Sequence, residues 1–408
     1  MFDFSLTPEL AVLRERTLAF VRDVVIPAEK DFPAYDVQAP EAIKAMADRL
    51  EVLRVQAREA GLFAPHVVKE WGGMGLNMRE MAIVFEEAGH SLLGPLVLNC
   101  SAPDEGNMHL LEVVASEEQK ERYLRPLVAG EIRSCFAMTE PAPGAGSDPA
   151  LLKTYAKRER GGWVISGTKW YTTGADGAAF AICMALTDHD SASGESKQAV
   201  RRPQATMFLV DTTNPGFRIV RHVPSMDVNF FGGHCEVVFE DCFVTDDAVL
   251  GEVGKGFQYA QVRLAPARLT HCMRWLGIAQ RSMEIATHYA NARESFGQRL
   301  GQHQMVGSML ADSAMEIHAA RLMIWHAAWL LDSSEQARQE TSMTKVYVAE
   351  TVNRVVDRAV QICGASGISE DLPLSLFYRS ARAFRIYDGP SEVHRAVIAH
   401  RILKQYAE

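Results

Sequence analysis

The sequence has few cysteines and no long hydrophobic run, and each absence argues against a class of protein. The 408 residues include seven cysteines, scattered without a Cys-x-x-Cys pair, a usage that is typical of a reducing compartment rather than of a disulfide framework. No apolar run approaches the roughly 18 residues of a membrane-spanning helix. The first residues lack a basic segment followed by an apolar stretch, so we expect no signal peptide and a cytoplasmic location.

The chain also lacks an excess of positive charge. Lysine and arginine together number 42 and aspartate and glutamate 51, which gives a formal net charge of −9. A nucleic-acid-binding protein needs a basic face, so this balance argues against nucleic acid as a partner. Hydrophobic residues make up 48% of the sequence, enough for a sizeable core, and the length suggests two or three domains.

Several common site motifs are missing as well. The glycine-rich segment 251–256 is followed by phenylalanine rather than completing the Gly-x-x-x-x-Gly-Lys-Ser/Thr loop, so it predicts a turn. Segments 89–94 and 144–148 do not match the Gly-x-Ser-x-Gly nucleophile motif. No Gly-x-Gly-x-x-Gly follows a predicted strand, and the 13 histidines show no metal-ligand spacing. We therefore predict neither a Rossmann nucleotide site nor a metal site.

What is present divides the chain into three blocks, helical, then β, then helical. In the first block, Thr7 and Pro8 form a helix start signal. Helical periodicity predicts further helices over 42–59, 78–89, 258–294, 303–331, 341–363 and 391–404. Between them, short β-branched or aromatic runs predict antiparallel strands over 163–166, 180–186, 206–210, 217–221 and 236–239. Segment 191–203 predicts a solvated loop, and we place the domain boundaries at 1–133, 134–250 and 251–408.

Several segments contain residue types suited to cofactor binding and catalysis. They are Phe-Ala-Met-Thr-Glu-Pro at 136–141 with Gly-Ala-Gly-Ser-Asp at 144–148, Gly-Thr-Lys-Trp-Tyr-Thr-Thr-Gly at 167–174, Ala-Arg-Glu-Ser-Phe-Gly at 292–297 with His-Gln at 303–304, Gln-Ile-Cys-Gly-Ala at 361–365, and Ile-Tyr-Asp-Gly-Pro-Ser-Glu at 386–392. Taken singly, each is compatible with a turn or a helix end. Their order and spacing together are far more specific.

This set resembles the acyl-CoA dehydrogenase family over nearly the whole chain. The resemblance implies an α+β multidomain fold, with an N-terminal helical domain, a middle antiparallel β-barrel domain and a C-terminal four-helix bundle. It also implies FAD held between the β domain and the bundle, and a homodimer or homotetramer. The expected activity is oxidation of the Cα–Cβ bond of an acyl-CoA to the trans-2-enoyl-CoA, with an electron-transfer flavoprotein as electron acceptor.

The resemblance assigns residues to the cofactor. Thr139 matches the family threonine at the pyrimidine edge of the flavin and Thr173 the threonine that reaches N5, while Tyr171 stands where the family usually has tryptophan. Arg293 matches the arginine that meets the FAD pyrophosphate of the neighbouring subunit, where a planar, bidentate cation suits phosphate oxygens. The full expected set is Phe136, Met138, Thr139, Ser147, Tyr171, Thr172, Thr173, Arg293, Ser295, Phe296, Gln304, Gln361, Gly364, Ala365, Ser391 and Glu392.

Asp388 is the expected catalytic base. An α-proton next to a thioester is weakly acidic, so its removal needs a carboxylate held over Cα. The family places a glutamate in this pattern, and the aspartate here is one methylene shorter. Pro390 is expected at the first position of the last helix, whose positive end favours an ionised carboxyl, whereas desolvation raises its pKa. Without the resemblance, Asp-Gly-Pro would read as a turn. The segment 265–268, where some family branches hold their glutamate, has no carboxylate.

Polar residues bear on the substrate. Arg268, His271 and Arg274 recur at three-residue spacing near one helix face, and Asp104 and Glu105 fall in another expected pocket helix. We hypothesise an acyl chain with a polar or anionic group, such as a hydroxyl or its phosphate ester. The alternative is that these groups pair with each other or face a subunit interface. The expected substrate-binding residues are Ser147, Arg268, His271, Tyr387 and Gly389. The stretch from Thr139 to Ser147 is two residues longer than the Thr-Glu-Pro-Gly-Ala-Gly-Ser segment common in the family, which weakens the match of Ser147 to a CoA or FAD phosphate contact.

The segment 388–394, together with the segments 99–104 and 268–274, looks closest to one family branch, whose members are fused in animals to a kinase-like domain. This chain has no kinase segment, so a kinase would be a separate partner. Nitroalkane oxidases share the fold and use an aspartate base, and they form one alternative. A non-catalytic, flavin-bearing, DNA-associated relative forms another, which the net charge opposes.

Overall fold

The computed structural model describes residues 5–33, 40–187, 204–333 and 337–407, so the predicted loop at 191–203 lies outside the described residues. The chain divides into two compact units. The first comprises Met1–Ser101, Met226–Val228 and Ala265–Glu408, and the second comprises Ala102–Ser225 and Asn229–Leu264. The first unit is built from helices, and the second contains the large sheet.

The predicted long helices are present, with ends within a few residues of those expected. The α-helices are α1 (Pro8–Phe20), α2 (Ile26–Ala28), α3 (Pro40–Glu59), α4 (Met78–Ala88), α5 (Gly94–Val97), α6 (Asp104–Val114), α7 (Glu117–Gln119), α8 (Arg125–Ala129), α9 (Gly256–Ala292), α10 (Gln304–Asp332), α11 (Arg338–Cys363), α12 (Ala365–Ile368), α13 (Leu374–Phe384) and α14 (Ser391–Gln405). Thr7 caps α1 as expected, accepting the Leu10 N–H, whereas α13 was not predicted. Among the helices of the described segments, none combines the length and apolar character that a membrane crossing needs.

The second unit is organised around one sheet. Its strands are β1 (Ser134–Ala137), β2 (Tyr155–Glu159), β3 (Gly162–Thr173), β4 (Phe180–Thr187), β5 (Ala205–Asp211), β6 (Phe217–His222), β7 (His234–Thr245) and β8 (Val249–Leu250). The order is β6-β7-β3-β2-β4-β5-β8, with β1 also beside β4. The predicted strands pair antiparallel with one another, but the unpredicted β1 and β2 both run parallel to β4. The sheet is therefore mixed rather than purely antiparallel.

A bulge near the end of β3 turns residues 170–171 out of the hydrogen-bond ladder with β7. The pairing of β3 with β7 shifts register between Lys169 and Thr172, and Tyr171 adopts φ +48°. The Trp170 N–H donates instead to the Thr139 carbonyl, at 2.9 Å. Bulges of this kind re-aim side chains at the ends of strands, and this one ties the 139 segment to β3.

A buried carboxylate organises the loop that follows β1. Glu140 accepts hydrogen bonds from the backbone N–H groups of Ala145, Lys153 and Thr154, at 3.2, 2.8 and 2.8 Å, and from the Thr154 hydroxyl at 2.6 Å. Four donors on one side chain fold residues 140–154 around it.

Lys169 supplies the counter-charge. Its buried Nζ lies 2.9 Å from Glu140 Oε1 and donates to the Met138 carbonyl at 3.0 Å. Burial alone would raise the pKa of Glu140, but the Lys169 charge and the Thr154 hydrogen bonds lower it to about 2. The glutamate of the Thr-Glu-Pro motif is therefore a structural anion that holds the main chain around Thr139.

In the first unit, α4 and α9 cross with their backbones in contact. A Cβ on Gly277 would lie 2.1 Å from the Glu86 carbonyl oxygen, and a Cβ on Gly89 would lie 2.0 Å from the Arg274 carbonyl oxygen. Such distances leave no room for a side chain. This crossing fixes the part of α9 that follows Arg268.

Gly277→Ala tests the crossing. The added methyl group would force α4 and α9 apart, and we expect a loss of stability of about 1–3 kcal/mol or more. Gly307→Ala in α10 is the matched control, because a Cβ there meets nothing within 4 Å and alanine favours a helix by up to about 1 kcal/mol. Thermal unfolding of both variants checks this, and equal midpoints would contradict it.

Glu140→Gln tests the buried pair. The substitution leaves the Lys169 charge without its partner, and we expect it to destabilise the protein by about 3–5 kcal/mol, whereas Glu240→Gln, at a side chain that is 74% exposed, should change little. Because the pKa of Glu140 falls from 4.5 to about 2 on folding, its contribution is present above pH 4.5 and is lost as the pH falls towards 2. The free energy of unfolding, measured across that pH range, should fall less steeply towards low pH in the variant than in the wild type. Equal falls in the two proteins would contradict the stabilising role of ionised Glu140.

Candidate active site

Asp388 lies in the connection between α13 and α14, in a strained backbone conformation. Its φ is +54° and that of Gly389 is +101°, so two successive residues have positive φ. Helix α14 begins at Ser391, and Pro390 precedes it instead of occupying its first position as expected. The left-handed region is sparsely populated by residues other than glycine and costs energy. The surroundings of Asp388 must therefore hold it there.

Two side chains hold the carbonyl group of Asp388. Arg268 Nε donates to this oxygen at 2.9 Å, and His394 Nε2 lies 3.2 Å from it. Burial, together with the nearby Arg268 charge, lowers the pKa of His394 to about 4. His394 is therefore a neutral imidazole at neutral pH, with its proton on the nitrogen that faces the carbonyl.

A buried lysine holds the next peptide. Lys345 Nζ donates to the Gly389 carbonyl and to the Phe384 carbonyl, both at 2.8 Å. Its side chain is fully buried, and burial lowers its pKa to about 8, while Asp388 and Cys272 act in the opposite direction. The lysine thus joins the end of α13 to the turn before α14.

The carboxylate itself contacts a histidine from α9. His271 Nε2 lies 3.2 Å from Asp388 Oδ2, and the two side chains are only 13% and 17% exposed. The imidazole ring lies 4.9 Å from the Tyr387 ring, and the Tyr387 hydroxyl accepts a hydrogen bond from Trp275. The Asp388 carboxylate therefore stands in a half-buried setting with one aromatic wall.

The five residues Asp388, Arg268, His271, Tyr387 and Gly389 are thus brought together. Arg274, expected on the same face, instead donates to the Cys100 carbonyl at 2.8 Å. Helical geometry explains the difference, because each step of three residues rotates the direction of the side chain by about 60° around the axis. The sequence analysis did not single out Lys345 or His394 as site residues. Lys345 lies in no motif, His394 ends the 388–394 segment without an assigned role, and both act through main-chain oxygens.

In the second unit, the structure joins the two segments expected at the flavin ring. Lys169 Nζ donates to the Met138 carbonyl, and the Trp170 N–H donates to the Thr139 carbonyl. Phe136 lies in β1, with the Arg263 guanidinium 4.1 Å from its ring centre. Ser147 is exposed on the loop beyond Glu140.

At the end of β3, Thr173 contacts a histidine of β7 that the sequence analysis did not single out. Thr173 Oγ1 lies 2.9 Å from His234 Nδ1, on the paired strand β7. The neighbouring Thr172 Oγ1 is buried and finds no hydrogen-bond partner among the described residues. A buried hydroxyl without a partner fits a polar ligand such as the flavin edge.

In the first unit, three of the expected dinucleotide contacts, Arg293, Ser295 and Phe296, lie on or next to a short hairpin. Strands β9 (Glu294–Ser295) and β10 (Gln298–Arg299) are joined by Phe296 and Gly297, which have φ of +55° and +79°. Phe296 is 94% exposed at the tip, and Arg293 before it is also exposed. His303 Nε2 lies 3.2 Å from the Ser295 carbonyl and ties the hairpin to the start of α10, where Gln304 lies.

The remaining dinucleotide contacts lie at the same end of the α10–α11 pair. Glu316 of α10 pairs with Arg354 and Arg358 of α11, and the Thr344 hydroxyl of α11 donates to the Met323 carbonyl further along α10, so the two helices run antiparallel. The end of α11 therefore lies at the end where α10 begins. Gly364 adopts φ +57°, and a Cβ there would meet nothing within 4 Å. The residues placed at this end are Gln304, Gln361, Gly364 and Ala365.

The start of α14 completes the expected set. Ser391 Oγ is buried and has no hydrogen-bond partner within the described parts of the chain, whereas the Glu392 side chain is 75% exposed. The open backbone at Gly364 and the unpartnered Ser391 hydroxyl fit a polar dinucleotide. No group of three histidine, cysteine, aspartate or glutamate side chains in the described segments could hold a metal ion.

Comparison with known proteins identifies the family. Three family models match in sequence order: the acyl-CoA dehydrogenase N-terminal domain at residues 7–131, the middle domain at 135–242 and the C-terminal domain at 254–403. The Mycobacterium tuberculosis protein named "Probable acyl-CoA dehydrogenase FadE2" is 37% identical over 99% of this chain and 97% of its own length.

A longer relative and a more distant solved structure point to the same family. The human acyl-CoA dehydrogenase family member 11 is 36% identical over 95% of this chain, which spans about half of that protein's length. The solved butyryl-CoA dehydrogenase from Megasphaera elsdenii matches with a TM-score of 0.83 and 26% identity, over 98% of this chain and 100% of that one. The chain therefore belongs to the acyl-CoA dehydrogenase family, which confirms the expected helical–β–helical domain fold, an oxidoreductase activity on acyl-CoA and FAD as the cofactor.

Proposed function

We propose that the protein oxidises an acyl-CoA thioester to the trans-2-enoyl-CoA, with Asp388 as the base that removes the α-proton. The observation that supports this best is the half-buried carboxylate on a turn whose main chain is held by three side chains. A strained residue that is held this firmly is typical of a functional site. Positioning of this kind is what proton abstraction from a weak carbon acid needs.

In the proposed reaction, an Asp388 oxygen takes the proton from Cα as a hydride leaves Cβ. Bound FAD supplies the acceptor for that hydride. Only 17% of the Asp388 side chain is exposed, which limits the access of water to the carboxylate, and the Tyr387 ring offers an apolar surface to the acyl chain. The turn fixes the main chain that carries the carboxylate, which suits an aspartate with one methylene fewer than glutamate.

Two groups of residues are proposed to hold FAD. For the flavin ring, we propose the backbone of Phe136 and Met138 with Thr139, Tyr171, Thr172 and Thr173, supported by the buried Thr172 hydroxyl without a partner. For the dinucleotide part, we propose Arg293, Ser295, Phe296, Gln304, Gln361, Gly364, Ala365, Ser391 and Glu392. Ser147, exposed on its loop, is proposed for a CoA or FAD phosphate.

A second copy of the chain is part of the proposal. Phe296 exposes 94% of its surface at a hairpin tip with positive φ, next to the exposed Arg293. An aromatic side chain so exposed gains free energy only when another surface covers it. We propose a homodimer or homotetramer in which Arg293 meets the FAD of the neighbouring subunit. An electron-transfer flavoprotein is the proposed acceptor, and the cytoplasmic location stays a prediction.

The proposed substrate bears a polar group on its acyl chain, such as a 4-hydroxyl or its phosphate ester. Among the described residues, Arg268 uses Nε for its hydrogen bond to Asp388, so its terminal nitrogens can meet such a group. The nitroalkane alternative rests on the aspartate in place of glutamate, because a nitroalkane is a stronger carbon acid and demands less of its base.

Asp388→Ala tests the base. During anaerobic titration with butyryl-, octanoyl- and 4-hydroxyacyl-CoA, the wild type should lose its flavin absorbance. The variant should bind FAD but reduce it at least about 10³-fold more slowly, because general bases contribute up to about 10⁴-fold. Asp48→Ala, at a side chain that is 71% exposed, is the control.

Bleaching of the Asp388→Ala variant at the wild-type rate would contradict the assignment of the base. A wild type that bleaches with a primary nitroalkane and consumes oxygen, but responds to no thioester, would support the nitroalkane alternative instead.

A substrate panel tests the polar acyl chain. We expect a higher kcat/KM for 4-hydroxyacyl-CoA or its phosphate ester than for plain acyl-CoA of equal length. Arg268→Gln should reduce this preference about 2- to 10-fold, the range expected for one hydrogen bond. The ratio of the two kcat/KM values is the measurement, because damage to the turn lowers both alike. Equal or better turnover of plain chains by the wild type would contradict the hypothesis.

A further inference from the structure

We infer that His271 is a positioning residue for the base, donating a hydrogen bond through Nε2 to Asp388 Oδ2 so that Oδ1 is the oxygen that takes the substrate proton. This role rests on the proposed function of Asp388 and differs from the contact with substrate that the sequence suggested for His271. It follows from the 3.2 Å separation of two side chains that are 13% and 17% exposed.

The direction of the hydrogen bond follows from the charge of its acceptor. An ionised carboxylate only accepts hydrogen bonds, so the histidine nitrogen that faces it must carry the proton. The His271 N–H donates to Oδ2, and we assign the substrate proton to the other carboxylate oxygen, Oδ1. Because Arg268, His394 and Lys345 act on main-chain carbonyls, His271 is placed to set the rotation of the carboxylate about its own side chain.

The aromatic neighbours of His271 hold the imidazole ring. It lies 4.9 Å from the Tyr387 ring and 6.1 Å from the Phe384 ring, measured between centroids. Trp275, one helical turn further along α9, stacks on Phe384 at 5.9 Å. A donor that is fixed by packing loses little entropy when it forms its hydrogen bond, which is the property of a positioning group.

The charged and titratable groups around Asp388 come from several elements. Arg268, His271 and Cys272 lie on α9, Lys345 on α11, Tyr387 in the turn and His394 on α14. Burial raises the pKa of Cys272 to about 12 and that of Tyr387 further still, so neither titrates in the acid range. Burial lowers the pKa of Lys345 to about 8 and that of His394 to about 4. His394 is present in both the wild type and the His271 variants. A difference between the acid sides of their pH–rate profiles therefore reports on His271 and Asp388.

The test isolates proton abstraction from hydride transfer. The probe is 3,3-dimethylbutanoyl-CoA, which has protons on C2 and no hydrogen on C3, so the base can exchange its C2 protons while no hydride can leave. Loss of the C2 proton signal in D₂O, followed by NMR on the FAD-bound enzyme across pH, gives the exchange rate. Flavin reduction by a true substrate is measured over the same pH range.

We expect His271→Leu to move the acid limb of exchange upward by about one pH unit, because the lost hydrogen bond favoured the ionised carboxyl. The plateau rate should fall about tenfold or more, because the carboxylate loses its fixed orientation. His271→Gln, which keeps an N–H donor of similar reach, should restore the limb and bring the plateau to within a few-fold of the wild type. His318→Leu, at an exposed position on α10, should match the wild type.

An acid limb that does not move, a plateau that does not fall, or a glutamine variant that behaves like the leucine variant would overturn the role of His271 as a donor. If the leucine variant fails to fold, His271→Met replaces it as the variant without a donor. Exchange that persists in Asp388→Ala would show that the proposed base is wrong. Exchange that is lost in Asp388→Ala but is unchanged in His271→Leu would reject the present inference alone.

Discussion

The hydrogen bonds to the main chain of the Asp388–Gly389 turn are the constraint on which the site in the first unit depends. Two successive residues with positive φ would relax if their carbonyls had no fixed donors. Arg268 and His394 hold the first carbonyl and Lys345 holds the second, from three different helices. The position of the carboxylate is therefore set by the packing of α9, α11 and α14, and the crossing of α4 with α9 contributes to it.

Each unit has a buried lysine that donates to the main chain of a loop with a proposed role in the site. Lys345 donates to the Gly389 carbonyl beneath the proposed base, and Lys169 donates to the Met138 carbonyl beneath the segment proposed for the flavin ring. A buried ammonium group is costly unless its donors are satisfied, so each lysine binds its loop strongly. The difference lies in the partner: Lys169 pairs directly with Glu140, whereas the hydrogen-bond acceptors of Lys345 in the described parts of the chain are two carbonyl oxygens.

The fold could be predicted largely from the sequence, because the long helices and the central strands carry clear periodicity. The short strands β1 and β2 and their parallel pairing with β4 could not, since each strand is too short to carry a clear pattern and the direction of its pairing depends on tertiary packing. In the site, Asp388 could be chosen from its motif, but its surroundings could not. Contacts such as that of Lys345 with Gly389 join residues 44 positions apart through a backbone oxygen, which leaves no trace in a residue pattern. The spacing also did not predict the contact of His271 with the Asp388 carboxylate, because spacing reveals the face of a helix and not the group that it meets.

The most direct measurement of the central claim is a crystal structure of the FAD-bound enzyme with an enoyl-CoA product. Reacting atoms in a productive complex lie about 3–3.5 Å apart. Asp388 Oδ1 should therefore lie at that distance from C2 of the thioester, with Oδ2 on His271 and the φ of Asp388 still positive. A different carboxylate next to C2, or an Asp388 side chain directed away from the ligand, would contradict the account.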